Sequence, residues 1–107
     1  MMEHSEIKKM SRAIVRNIVG TSKSCYANTA RKYGYKSFMD MYRQETKSGR
    51  KTCCALGCSG LFEVGAHVRA KSNGPWYIVP FCKSHNGYDE VIPLTKRTKL
   101  LPLNQKF

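Results

Sequence analysis

Cys53-Cys54-Ala55-Leu56-Gly57-Cys58 is followed, 24 positions after Cys58, by Cys82-Lys83-Ser84-His85. Two tight pairs of soft and borderline donors, separated by a spacer of hairpin length, have the spacing of a tetrahedral zinc site. Thiolate sulfur and imidazole nitrogen are donors that zinc accepts readily, and four protein ligands leave no open coordination position. The spacing therefore predicts a structural Zn2+ ion held by Cys53, Cys58, Cys82 and His85. Cys54 is the alternative to Cys53. The first choice gives C-x4-C and the second C-x3-C, and the longer loop leaves more room for a Leu56-Gly57 turn. Cys25 reads as a buried helix residue rather than a ligand.

A chain of 107 residues allows one modest core, and small modules usually need a staple. The five cysteines are an odd number, and four of them cluster, which favours metal over a paired disulfide framework. No apolar run approaches the roughly 18 residues that span a bilayer. The first twenty residues mix charge into their apolar positions and lack the apolar block of an export signal. The expectation is a soluble, cytoplasmic protein with no membrane partner.

Charge narrows the partners. Nineteen Lys and Arg against seven Asp and Glu give a net +12. The excess is +8 over the first 52 residues and +4 over the rest, so the whole chain is basic. Such a field attracts nucleic acid or an acidic protein surface.

Periodicity predicts helices first. Ile7, Met10, Ile14 and Ile18 are three or four apart, with Val15 beside them, which predicts an amphipathic helix over 3–19 ending at Gly20. A second helix is expected over 22–33, with Tyr26, Ala30 and Tyr33 on one face. A third starts at Ser37, where Ser37 and Asp40 have the spacing of a capping box and Phe38, Met41 and Tyr42 face the core. The polar stretch 46–51 then leads into a segment without helical periodicity. There, 63–70 reads as a strand weakened by Gly65, 72–75 as a turn, and 76–79 as the returning strand, ended by Pro80. A short helix is expected over Cys82–His85, and 99–103 as a closing edge strand that tolerates Pro102. The chain thus divides into a basic helical segment, 1–50, and a zinc-binding module, 51–107. The fold class is α+β.

A cysteine pair, a hairpin carrying Gly65-Ala66-His67-Val68, and then Ile78-Val79-Pro80-Phe81-Cys82-Lys83-Ser84-His85-Asn86 resemble the HNH-like treble clef. That resemblance covers about residues 52–90. It implies a zinc-stabilised treble clef of knuckle, β-hairpin and short helix, here preceded by two or three α-helices. The layout also resembles small proteins of bacteria and their phages, which implies a bacterial or phage-infected cell. In HNH nucleases a strand His activates water, a preceding Asp or His and a helix His or Asn hold Mg2+, and a hairpin Asn orients the base. Carried over by position, His67 matches the general base and Asn86 the helix ligand. Ala66 and Tyr77 stand where the other two groups belong. A methyl group cannot bind magnesium, which prefers oxygen ligands in octahedral geometry, so Mg2+ enters only if a nuclease survives with a carboxylate from elsewhere. His67 reads as a general base, as a buried structural histidine, or as a replacement zinc ligand.

Three functions follow. The leading one is a non-catalytic zinc module that binds nucleic acid or a nucleic-acid-handling protein, with Arg69, Lys71, Lys83, Lys96, Arg97 and Lys99 on phosphates and Trp76 and Tyr77 available for stacking. The second is a divergent HNH endonuclease using His67. The third is a phage-type protein that inhibits or redirects a host factor. Monomer and homodimer are both compatible, since the apolar stripe of the first helix offers a dimer surface.

Overall fold

Inward residues alternate along the second half of the chain and build a sheet with two buried faces. The computed structural model describes residues 8–10, 13–18, 30, 31, 33–70 and 74–103. Its strands are β1 (Lys8–Met10), β2 (Ile14–Asn17), β3 (Val64–Arg69), β4 (Trp76–Phe81), β5 (Ile92–Pro93) and β6 (Thr98–Leu103). All neighbours pair antiparallel, in the order β1-β6-β4-β3-β2-β5. Helices α1 (Phe38–Thr46) and α2 (Lys83–Asn86) accompany them. The fold is α+β.

The β3–β4 register sorts the side chains. Val64, Ala66 and Val68 pair with Phe81, Val79 and Tyr77, while Gly65 and His67 pair with Pro80 and Ile78. Cross-strand partners share a face. The first set packs with Val15, Leu100, Ile92, Leu94, Cys53, Cys54 and Cys82 in one core. Ile78 and Leu101 pack on the other face with Phe38, Met41 and Tyr42 of α1.

Helix α1 has the start its sequence predicts. Ser37 is the N-cap in extended conformation, and its Oγ accepts from the Asp40 amide at 3.1 Å. The Asp40 carboxylate reaches back one residue further than in a capping box, to the Lys36 amide at 3.3 Å. The expected core face, Phe38, Met41 and Tyr42, is buried. The helix ends at Lys47, which takes a left-handed conformation with φ 54°.

The helix expected over 3–19 is not present among the described residues: β1 and β2 occupy that stretch. Burial over Ala13-Ile14-Val15-Arg16 alternates in, out, in, out. Val15 goes into the core between β3 and β5, while Ile14, counted in the apolar stripe, is exposed. Cross-strand partners more than 50 residues away, Arg69, Val68, Ile92, Pro93 and Thr98–Leu100, decide the outcome over local spacing. As a result, strands on either side of residue 50 share one sheet. Of the helix expected over 22–33, residues 22–29 and 32 lie outside the described residues; Ala30 and Arg31 are helical.

Three further expectations shift. Pro80 does not end its strand; β4 runs to Phe81, and the Pro80 carbonyl accepts from the Cys54 amide at 2.8 Å. Strand β6 is not an edge over Thr98–Leu100, where β1 covers it, and Pro102 falls beyond that register. The expected turn at 72–75 lies partly outside the described residues. No helix among the described residues is long and apolar enough to cross a membrane.

Gly65 is a fixed point of the architecture. A Cβ there would lie 2.5 Å from the Phe38 carbonyl carbon and 2.7 Å from the Met39 nitrogen. These are backbone atoms of the first turn of α1, which cannot swing aside as a side chain can. Overpacking of this kind costs about 1–3 kcal/mol or more. Gly65→Ala is therefore expected to lower unfolding free energy by at least about 2 kcal/mol, read by denaturant melts. A change near zero would show that α1 does not rest on this strand.

Candidate metal centre

The segment 51–62 folds back on itself. The Cys53 amide donates to the Gly60 carbonyl at 2.8 Å, the Phe62 amide to the Lys51 carbonyl at 3.0 Å, and Thr52 and Leu61 form a bridge. The tip turns at Gly57, whose φ of 79° is left-handed and suits glycine. Three anchors fix this loop to the sheet: Cys54 to Pro80, Leu56 to the Pro93 carbonyl, and Thr95 to the Cys54 carbonyl, each at 2.8 Å. On the other side, β4 delivers Cys82 as the N-cap of α2, and one helical turn brings His85 back beside it.

The donor atoms of Cys53, Cys58, Cys82 and His85 all lie within 4.8 Å of one another. His85 turns Nδ1 inward, 3.2 Å from the Cys82 sulfur and 3.7 Å from that of Cys53. A tetrahedral zinc with bonds of about 2.3 Å to sulfur and about 2.0 Å to nitrogen separates such donors by roughly 3.5 Å. The four residues can hold a metal ion, and their chemistry and spacing are compatible with structural zinc. None of the four described cysteines is in a disulfide.

Backbone amides face the sulfurs. The Gly60 amide points at the Cys58 sulfur at 3.3 Å. Burial pushes the Cys53 thiol up to about 11, although the Ala55 and Cys82 amides favour its thiolate. Burial also raises Cys82, but the His85 amide, the His85 ring and the neighbouring Cys53 and Cys58 outweigh it and bring that thiol down to about 7. A cation held by these four residues would supply the charge that lets all three sulfurs ionise.

Cys54 is not one of the four. It is fully buried in the core, and desolvation first, then the nearby Cys53, hold its thiol well above the usual range. The cluster therefore contains the C-x4-C pair rather than the C-x3-C alternative. Cys25 lies outside the described residues.

His67 is also outside the cluster. It lies on the α1 face of β3, buried, with its ring edge-on to Phe38 at 4.2 Å and tilted to Trp76 at 6.3 Å. Helix α2 lies on the opposite face: Asn17, paired with Val68, donates through Nδ2 to the His85 carbonyl at 2.6 Å and the Tyr88 carbonyl at 3.0 Å. Thus the two positions matched to HNH catalysis, His67 and Asn86, are separated by the sheet. Asn17, missed by sequence reading, locks the end of α2 to β2; nothing in its local sequence marks it out.

The basic candidates scatter. Arg69 is half-buried opposite Arg16, and Lys83 is exposed at the first position of α2, where its amide donates to Glu63. Lys96 and Arg97 are exposed in the turn before β6, with Arg97 at φ 63°. The Lys99 ammonium donates to the Thr46 carbonyl at the end of α1. Lys71 lies outside the described residues. Trp76 and Tyr77 belong to the sheet, the first half-buried and the second buried.

Two measurements test these assignments. Cys53→Ser and Cys54→Ser should separate: the first loses bound zinc by elemental analysis and melts well below the wild type, whereas the second keeps about one zinc per chain. Zinc retained by Cys53→Ser and lost by Cys54→Ser would reverse the ligand choice. The second concerns His67, whose pKa burial lowers from 6.5 to about 4. The unfolded chain takes up that proton near pH 6.5 and the folded one only near 4. The stability associated with a neutral His67 is thus complete above about pH 6.5 and is lost as pH falls toward 4, by about 3 kcal/mol in all. The stability difference between wild type and His67→Gln, which cancels metal loss common to both, should shrink by that order between pH 7 and 4. A difference constant with pH would contradict the burial.

Comparison of the chain with protein-family models, with curated proteins and with solved structures finds no match, so the donor cluster and the sheet that carries it are the grounds for any functional reading.

Proposed function

We propose that this chain is a non-catalytic zinc module that binds nucleic acid through the phosphate backbone. In this reading the 51–62 loop is the knuckle of a treble clef, β3–β4 its hairpin and α2 its short helix. Zn2+ on Cys53, Cys58, Cys82 and His85 crosslinks the first to the last. The metal supplies folding energy and no open coordination position. Thiolate ligands of this kind suit the reducing interior of a cell.

The observation that carries the reading is the charge and where it sits. The net charge is +12 with all seven acidic residues counted, and Lys47, Lys51, Lys83, Lys96 and Arg97 are exposed. A surface field of that sign is expected for a protein that contacts phosphates. The separation of His67 from Asn86 supports binding without cleavage. An HNH-like scaffold with Ala66 and Tyr77 at two of its functional positions keeps the architecture and not the chemistry.

The expected result is duplex DNA binding whose log affinity falls linearly with log salt, with a slope steeper than about −3, without base preference and without cutting in the presence of magnesium or manganese. A flat salt response would remove nucleic acid as the partner. Cutting abolished by His67→Ala at unchanged zinc content would replace the binding role with a nuclease.

A further inference from the structure

Two basic segments border the metal loop and lie outside the hairpin and short helix of the treble-clef resemblance. Segments 46–52 and 94–99 contain Lys47, Arg50, Lys51, Lys96, Arg97 and Lys99 and no acidic residue. They are far apart in sequence and are sewn together in the fold. The Lys99 ammonium donates to the Thr46 carbonyl at 2.8 Å, and the Tyr42 hydroxyl to the Lys99 carbonyl at 2.7 Å. The Thr95 amide donates to the Cys54 carbonyl at 2.8 Å. Arg50 donates to the carbonyls of Thr52 and Cys53, at 2.8 and 3.0 Å.

These bonds divide the six cations into two kinds. Arg50 and Lys99 are half-buried and spend their donors on backbone carbonyls. Lys47, Lys51, Lys96 and Arg97 are exposed. The α2 side differs in kind. Lys83 begins a helix whose first amide meets the Glu63 carboxylate, and Arg16, opposite Arg69, meets Glu90. Asp89 adds a third acid there. A polyanion approaching α2 meets carboxylates; one approaching the loop and turn meets none from either segment.

We propose that the loop 47–51 and the turn 95–99 form the face that holds duplex DNA, with Lys47, Lys51, Lys96 and Arg97 on its phosphates. This face rests on the nucleic-acid reading above and moves the binding surface away from the hairpin and α2. Four cations on two short segments, with no aromatic residue among them, fit a phosphate track rather than base readout. Arg50 bonds to the Cys53 carbonyl, so this face is joined to the metal loop.

Glutamine at all four positions removes charge and keeps an apolar stem. The quadruple variant Lys47→Gln, Lys51→Gln, Lys96→Gln, Arg97→Gln should bind duplex DNA at least tenfold more weakly at low salt. Its log–log salt slope should be shallower by about 3 to 4, near 0.9 for each phosphate that is no longer neutralised. Arg69→Gln with Lys83→Gln should change the slope by less than about 1. On the unaltered protein, duplex DNA should shield Lys47, Lys51 and Lys96 from acetylation and leave Lys83 reactive, a readout independent of how the variant folds. Loss of binding in the Arg69/Lys83 variant, with the quadruple variant unaffected, would overturn this face and leave the nucleic-acid reading standing. A wild type with no salt slope would overturn both. Tighter binding to phosphatidylserine vesicles than to duplex at equal salt would overturn the choice of partner.

Discussion

Four donor atoms meet because backbone hydrogen bonds have already brought their segments together. The loop 51–62 is tied to β4 through Cys54 and Pro80, to β5 through Leu56 and Pro93, and to the following turn through Thr95. Helix α2 is tied to β2 through Asn17. Each bond is worth little alone, about 1 kcal/mol, but together they leave Cys53, Cys58, Cys82 and His85 few positions other than those of a metal site. A metal ion held there would join segments that the sheet has already oriented.

How much of this was legible follows from how local each signal is. The cysteines and His85 were legible because few side chains serve a tetrahedral soft-metal site and the turns between paired ligands are short. Ser37 and Asp40 marked the start of α1 because a cap is made by neighbours in sequence. The β3–β4 hairpin was legible from β-branched and aromatic residues on both sides of a turn. The N-terminal strands were not. Ile7, Met10, Ile14 and Ile18 satisfy a helical period, whereas the alternation that matters, Ala13 in, Ile14 out, Val15 in, is too short to stand out. Its partners lie in the second half of the chain. Pro80 misled for a related reason. Proline removes a donor, but its carbonyl remains, and here Cys54 uses it.

His67 is where the sequence resemblance and the fold differ in emphasis. The resemblance matches it to a nuclease base. In the fold its ring is enclosed by Phe38 and Trp76 on the face away from α2, and desolvation keeps it neutral. Gly65, two residues earlier on the same face, lets the first turn of α1 touch the strand backbone. That close approach seats Phe38 over His67, so a glycine that weakens a strand by propensity is what permits the helix layer.

The strand order carries a geometric demand. Strands β1 and β2 are joined by only residues 11–13, yet β6, β4 and β3 lie between them in the sheet. Four inter-strand steps across a flat sheet amount to about 19 Å. The chain from Met10 to Ile14 reaches at most about 14 Å. The sheet must roll toward a half-pipe, bringing its two margins near each other around Val15, Val68, Val79 and Leu100. The cysteine loop packs Cys53, Cys54 and Ala55 into that same core, so whatever shifts the loop is felt by the residues the rolled sheet wraps.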